Sequence, residues 1–133
     1  MSADGVVTVP SSFGPEDTMN RFEHGVSVRG LTVFARVDHA AGAAAVGLSL
    51  RPTDLLVFGN AKGGTPLMQA AQVAGLDLPL KALVWQDGGG DTWLSYNDPA
   101  WLAARHSLGN DADAAVAAMT TLLEALAKSA TQP

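Results

Sequence analysis

The sequence predicts an α/β fold of two layers, in which helices pack on a mixed sheet of about five strands. Segments with the two-residue period of strands alternate along the chain with segments of helical period. Leu31–Val37 places alternate side chains on opposite faces, which is typical of a strand. Asp87–Asp91 contains consecutive glycines between two apolar segments and predicts the turn of a hairpin. These patterns predict the order β-α-β-α-β-α-β-β-α-α.

The predicted helices have recognisable first or last residues. Pro15 suits a first helical turn, and Gly30 suits the C-terminal cap of the same helix. Asp38 is expected to cap a short alanine-rich helix, His39–Val46, and Thr65 is expected to cap the next one. Two further helices are expected to begin at Asp98-Pro99 and at about Asp111, and the second of them is expected to end at about Lys128. The other predicted strands are Val6–Val9, Leu55–Phe58, Leu80–Trp85 and Thr92–Tyr96.

Length, charge and cysteine content exclude several classes of function. The 133 residues predict a single domain, 1–133. Eight Lys+Arg stand against thirteen Asp+Glu without a basic run, which disfavours nucleic-acid binding. The absence of cysteine removes thiol catalysis, disulfides and thiolate metal sites. The N-terminal MSADGVVTVP has no signal-peptide pattern and no apolar segment is long enough to span a bilayer, so a cytoplasmic protein without membrane insertion is expected.

Several blocks of the sequence resemble one known family. The blocks, in chain order, are VFARVDHAAGA (Val33–Ala43), LLVFGN (Leu55–Asn60), GTPLM (Gly64–Met68), LPLKALVW (Leu78–Trp85) and SYNDP (Ser95–Pro99). Over about residues 6–106 the chain resembles the domain of unknown function 302 (DUF302) family. The resemblance implies a compact two-layer α/β fold, a bacterial protein and a homodimer, but no reaction. Where the family commonly has proline after Gly-Asn, this chain has Ala61, which is expected to loosen the loop.

The glycine-rich stretch after Leu55–Phe58 is the first candidate binding site. Leu55–Phe58 is apolar on both faces and predicts a central strand covered on both sides. Lys62 precedes the glycines and Thr65, so the order differs from that of a phosphate-binding P-loop. The predicted helix start still offers backbone N–H groups on which a small anion can be held. The simpler interpretation, which the residues favour, is a turn whose Thr65 caps a helix.

The three histidines favour structural over catalytic roles. His39 follows Asp38, a pair that suggests a general base, but Asp38 is better explained as the helix cap. His24 is expected on a helix surface, and His106 near a helix end, where a cation suits the dipole. No histidine pair has metal-ligand spacing, so neither a metal nor another cofactor is expected.

Three polar residues form a second group of candidates. Tyr96 and Asn97 precede a predicted helix and can lie at a pocket rim, although Asn97 also suits a simple turn. Lys81 lies in an apolar strand, where it is either an edge-strand charge or a group pointing into a cleft. The three tryptophans are expected in the core or in a dimer interface.

Strand direction gives the most specific prediction of a site. Strands joined by one crossover helix tend to run parallel, so His39 and Asn60 are expected at one edge of the sheet, in a cleft with Gly64 and Thr65. The sequence therefore predicts a homodimeric binding or sensory module for a small polar or anionic molecule. Two alternatives stay open, namely an enzyme with His39 as general acid or base, and an interaction protein without a ligand. No catalytic residue and no reaction can be assigned from the spacing.

Overall fold

The structure, a computed structural model, describes residues 4–133. Residues 1–3, which belong to the N-terminal segment MSADGVVTVP and to the predicted domain 1–133, lie outside the described residues. The strands are β1 (Val6–Pro10), β2 (Thr32–Asp38), β3 (Thr53–Gly59), β4 (Leu80–Gln86) and β5 (Thr92–Asn97). The helices are α1 (Pro15–Val28), α2 (His39–Ala45), α3 (Ala61–Ala70), α4 (Pro99–Arg105) and α5 (Asp113–Thr131), with short 3₁₀-helices at Gln72–Asp77 and Asn110–Ala112.

The five strands form one sheet in the order β1-β5-β4-β3-β2. The predicted two-layer α/β class and the number of strands are confirmed. The sheet is antiparallel at every pairing, however, and not mixed. The crossover rule failed because the segment that contains α2 does not cross the sheet to a strand beyond its neighbour. After β2 the chain turns back through α2 and pairs β3 alongside β2 in the opposite direction.

One face of the sheet packs against α1 and α5 to form the core. Phe22 of α1 is fully buried and meets Phe58 of β3 edge to face, with ring centroids 5.3 Å apart. Leu126 of α5 packs close to Gly25 of α1: a methyl group added to Gly25 would lie 3.1 Å from the Leu126 side chain. A small residue at this position therefore allows the two helices of this layer to approach each other closely.

The other face of the sheet is only partly covered, whereas the sequence predicted that Leu55–Phe58 would be covered on both faces. Register places Leu55 and Leu83 side by side on this face, and Trp85 stacks on Trp93 with ring centroids 6.2 Å apart. All four side chains are only partly buried, and Val37 on the neighbouring strand is 39% exposed. β3 is thus buried on one face only, and we call the second face the open face, defined by Val37, Leu55, Leu83, Trp85 and Trp93.

The β4–β5 turn is held by the carboxylate of Asp87. Its Oδ1 accepts the backbone N–H of Gly89 at 2.9 Å and of Asp91 at 3.0 Å, and its Oδ2 accepts Trp93 Nε1 at 2.9 Å. These donors favour the ionised form, so the hydrogen bond from Trp93, followed by that from Asp91, lowers the pKa of Asp87 below its usual value.

The lowered pKa of Asp87 predicts how the turn responds to acid. Because the folded-state pKa lies below that of the unfolded chain, the stabilisation is complete above the unfolded pKa and is lost as pH falls through the folded one. As the pH is lowered, we expect the NMR chemical shift of the Trp93 indole N–H to stay constant past the ordinary aspartate pKa. It should change only at a lower pH, where Asp87 is protonated. In Asp87→Asn this transition should be absent. A midpoint at or above the ordinary aspartate pKa would contradict the prediction.

Candidate functional site

The glycine-rich stretch forms the first turn of α3 rather than a loop before it. Asn60 is the N-cap residue, and its Oδ1 accepts the backbone N–H of Gly63 at 2.7 Å. The prediction that Thr65 caps this helix is therefore wrong, because Asn60, five residues earlier in the chain, already caps the helix start. Pro66, the residue after Thr65, lies inside the helix and not at its start.

A cavity of about 440 Å³ opens beside this helix start. Its walls come from the end of β3, the start of β4, the first turn of α3 and one face of α5. Ala115, Ala118, Met119 and Leu122 recur on α5 at intervals of three and four, so they share one helical face. The other lining residues are Leu31, Phe34, Gly59, Asn60, Ala61, Lys62, Gly63, Gly64, Met68, Leu78, Pro79 and Leu80.

A bulge in β2 brings an aromatic side chain to this cavity. The pairing with β3 shifts between Val33 and Ala35, which leaves Phe34 without a partner on β3. Such a bulge redirects a side chain out of the regular alternation of a strand. Phe34 is 56% exposed and lies at the cavity, although its place in the sequence put it on the same face as Thr32 and Arg36.

The polar groups of the cavity are concentrated at the first turn of α3. Lys62 is the charged side chain among the described lining residues, and none of these residues is acidic. The Asn60 side chain is occupied by the Gly63 N–H. The first N–H groups of a helix have no acceptor within the helix, and this end carries a partial positive charge. The cavity is therefore apolar over most of its wall and electropositive at one side.

The expected cleft between His39 and Asn60 does not exist. Asp38, which precedes His39, pairs with Asp54, whereas Gly59, which precedes Asn60, pairs with Thr32. The two residues lie at opposite ends of β2, roughly 20 Å apart at the rise of an extended strand. Of the four residues expected in this cleft, Asn60 and Gly64 line the cavity, whereas His39 and Thr65 do not.

The second group of candidates is divided between the two faces of the sheet. Lys81 pairs with Val57, and Asn97 follows the same alternation on β5, so both lie on the open-face side at the sheet end where β3 terminates. Lys81 belongs to the central strand, and the edge-strand interpretation of its charge is therefore wrong. Tyr96 points into the core and is 7% exposed; burial, and then Glu124 and Asp98, raise its pKa.

The sequence did not predict one cluster of polar and charged side chains, formed by Asp77, Arg105 and His106. His106 Nε2 lies 2.5 Å from Asp77 Oδ2, and Arg105 donates to both oxygens of the same carboxylate. The His106 side chain is 6% exposed and that of Asp77 is 13% exposed, so His106 is held by a partly buried carboxylate and not only placed at the end of α4. Asp77 is 29 residues away along the chain, and no local pattern links the two. The cluster ties the end of α4 to the 3₁₀-helix that follows α3.

The fold and cavity define a small two-layer α/β protein with an apolar cavity at one end of its sheet. The family model described as "Domain of unknown function DUF302" matches residues 7–126. The chain therefore belongs to the DUF302 family, as its sequence blocks indicated. Its fold resembles the crystal structure of an uncharacterised conserved DUF302 protein from Bacillus stearothermophilus, with a TM-score of 0.84 at 22% identity, over 96% of this chain and 99% of the other.

The chain is also similar to curated proteins with an assigned name. It is 52% identical over 117 residues to "Fluoride-specific ion channel FluC 1" of Brucella suis, and equally similar to the protein of the same name from Brucella abortus. The match covers 88% of this chain but only 46% and 43% of those proteins. The chain thus spans less than half the length of these relatives.

Residues 4–133 contain neither a candidate membrane-spanning helix nor a candidate metal-binding cluster. No helix in this part of the chain combines the length and the apolar character needed to cross a membrane. The same residues contain no group of three or more His, Cys, Asp or Glu side chains placed to hold a metal ion.

Two adjacent glycines in α3 should respond differently to replacement by alanine. A methyl group on Gly64 would lie 3.7 Å from Leu78 Cδ1, an ordinary contact, so Gly64→Ala should raise the free energy of unfolding by about 0.5–1 kcal/mol through helix propensity. On Gly63 it would lie 2.9 Å from Asn60 Oδ1, the capping atom. Gly63→Ala should therefore bring no gain, because a lost cap costs about 1 kcal/mol. Urea unfolding measures both, and an equal gain in the two variants would contradict the capping geometry.

Proposed function

We propose that this protein is a binding or sensory module that holds a small molecule in the cavity between α3 and α5. The observation that carries the proposal is the cavity itself, about 440 Å³ with predominantly apolar walls and its polar groups at one side. Small-molecule sites commonly have about 300–1,000 Å³ and this combination of lining groups. The sequence predicted a small polar or anionic ligand. Because most of the cavity wall is aliphatic or aromatic, we propose that the ligand has an apolar body.

An enzyme that uses His39 is the less favoured alternative. His39 is exposed at the first position of α2, at the end of the sheet opposite the cavity. A general acid or base has to reach the proton that it transfers within hydrogen-bond distance. A ligand in the cavity is too far from His39 for such a proton transfer.

The cytoplasmic location expected from the sequence stays a prediction.

The name of the Brucella relatives suggests a second candidate, a module that works with a fluoride channel. The identity of 52% over 117 residues favours it. Fluoride is a small, strongly hydrated anion, and moving an ion from water into an apolar environment is costly unless it is paired and hydrogen-bonded. The cavity walls therefore suit fluoride poorly, and in this second candidate the module contacts the channel rather than carrying its ion.

Blocking the cavity should abolish ligand binding. Ala118 lines the cavity from α5 and is exposed, so its replacement by tryptophan can fill the opening without disturbing the core. We expect the neutral fluorescent probe phenylnaphthylamine to bind the native protein and to lose at least tenfold in affinity in Ala118→Trp. Ala117→Trp is the matched control, because Ala117 is also exposed on the same helix but does not line the cavity.

The same assay separates the proposal from its alternatives. Native mass spectrometry of freshly purified protein should show a co-purifying small molecule that is absent from Ala118→Trp. Fluoride should not displace the probe. Probe binding that is equal in Ala117→Trp and Ala118→Trp, or absent from the native protein, would contradict a ligand site in this cavity.

We further propose that the protein is a two-fold homodimer joined through the open face. Trp85 and Trp93 stack there and stay partly exposed. The neighbouring helix α2 has no buried residue, and a seven-residue helix is marginal in water without packing partners. Beyond it, Val46, Leu48 and Leu50 are 72%, 66% and 50% exposed. A second copy would cover apolar surface that the single chain leaves open.

A charge on the open face should separate the two copies. Val37 is exposed there, so Val37→Glu can fold as a single chain but places a carboxylate in the proposed interface. We expect light scattering to give a dimer mass for the native protein and a monomer mass for Val37→Glu. The matched control is Leu76→Glu, because Leu76 is 70% exposed on the 3₁₀-helix Gln72–Asp77. Leu76→Glu should keep the dimer, and a native monomer at micromolar concentration, or a dimer that survives Val37→Glu, would refute this interface.

A further inference from the structure

The chemistry of the cavity walls restricts the class of ligand. Apolar side chains reach the cavity from four elements, with Phe34 on β2, Met68 on α3, Leu80 on β4 and Leu122 on α5. Covering apolar surface contributes roughly 25 cal/mol for each Å² removed from water. A fully polar molecule would gain none of this free energy from apolar contact and would lose part of its own hydration. The larger part of the ligand is therefore expected to be hydrocarbon.

The charge at the cavity restricts the ligand further. Lys62 is the charged side chain in the described lining, and no carboxylate faces it from the other lining residues. Lys62 lies on the second residue of α3, where the positive end of the helix dipole acts in the same sense as its ammonium group. A cationic ligand would meet an uncompensated like charge, and an anionic group can pair with Lys62 while its apolar body lies along α5.

We propose that the cavity binds an amphiphilic monocarboxylate, with its hydrocarbon chain between α3 and α5 and its carboxylate paired with Lys62. This inference rests on the proposed binding function and names the ligand class of the same cavity. The pair is exposed to solvent, so it selects among ligands more than it adds affinity; exposed ion pairs correspond to about two- to fivefold in affinity. The hydrocarbon supplies most of the binding, and Lys62 decides the sign of the charge that is accepted.

Three probes with one hydrocarbon body and different head groups test the proposal. Octanoate, octanol and octylammonium are titrated at neutral pH by displacement of phenylnaphthylamine. The native protein should bind octanoate about two- to fivefold more tightly than octanol, and octylammonium most weakly. Lys62→Glu should reverse the order of octanoate and octylammonium and leave octanol nearly unchanged. Lys128→Glu makes the same change of net charge on α5 away from the cavity lining, and should keep the native order.

The outcomes distinguish failure of the ligand class from failure of the binding site. If Ala118→Trp abolishes binding of all three probes but the native protein does not prefer octanoate, the ligand class is wrong and the cavity still binds. If Ala118→Trp leaves all three affinities unchanged, the cavity is not the site and both proposals fall. Vesicles of phosphatidylglycerol distinguish a free acid from a membrane surface. Binding to vesicles without binding of octanoate would overturn the inference.

Discussion

The antiparallel pairing of β3 with both of its neighbours determines where chemistry can occur in this protein. Because β2 and β4 run opposite to β3, the last residue of β3 lies beside the first residues of β2 and β4. Gly59 therefore delivers the chain to a point where Leu31, before β2, and Leu80, at the start of β4, both line the cavity. The first turn of α3 closes this end of the sheet, and the cavity is the space left between that turn and α5.

The helix beside the cavity is intrinsically weak, and this weakness belongs to the site. α3 contains Gly63, Gly64 and Pro66, each of which lowers the stability of a helix interior relative to alanine. The Asn60 cap and the burial of Leu67, which is 1% exposed, offset part of that cost. Gly64 has room for a methyl group without clash, so packing alone does not require a glycine there. The missing side chain leaves space at the cavity wall, and a ligand that binds only the folded state adds stability by mass action.

The elements of the fold could be predicted from the sequence, but the relation between them could not. Local signals such as the Asp38 and Asp98 caps, the hairpin at Asp87–Asp91 and the helical stripe of α5 act over a few residues, and the structure contains each of them. Strand direction depends on whether the connecting segment can cross the sheet. α2 has seven residues and does not cross it, so the expected neighbours His39 and Asn60 separated.

The candidate site was only partly predictable, because local sequence patterns indicate some of its residues but not which segments meet in space. The composition of the glycine-rich stretch indicated a candidate site, and Asn60 and Gly64 of this stretch line the cavity. Phe34 depends on a bulge, and Ala115 and Ala118 come from a helix more than fifty residues further along the chain. An alanine stripe on a helix predicts close packing at least as well as a cavity wall. Only the three-dimensional position of α5 relative to α3 separates these two interpretations.

The two proposed surfaces use opposite faces of the same strands. On β3, Leu56 and Phe58 point into the helix layer, whereas Leu55 and Val57 point to the other side. A ligand between α3 and α5 and a second copy on the open face therefore do not compete for space. They meet only through the backbone of β3 and β4, which both surfaces share. Communication between them would need an element with two arrangements that both events bias. The segment from Asn60 to Gly64 borders the ligand, carries two glycines and follows directly from β3, so among the described elements it has the position and the backbone freedom for that role.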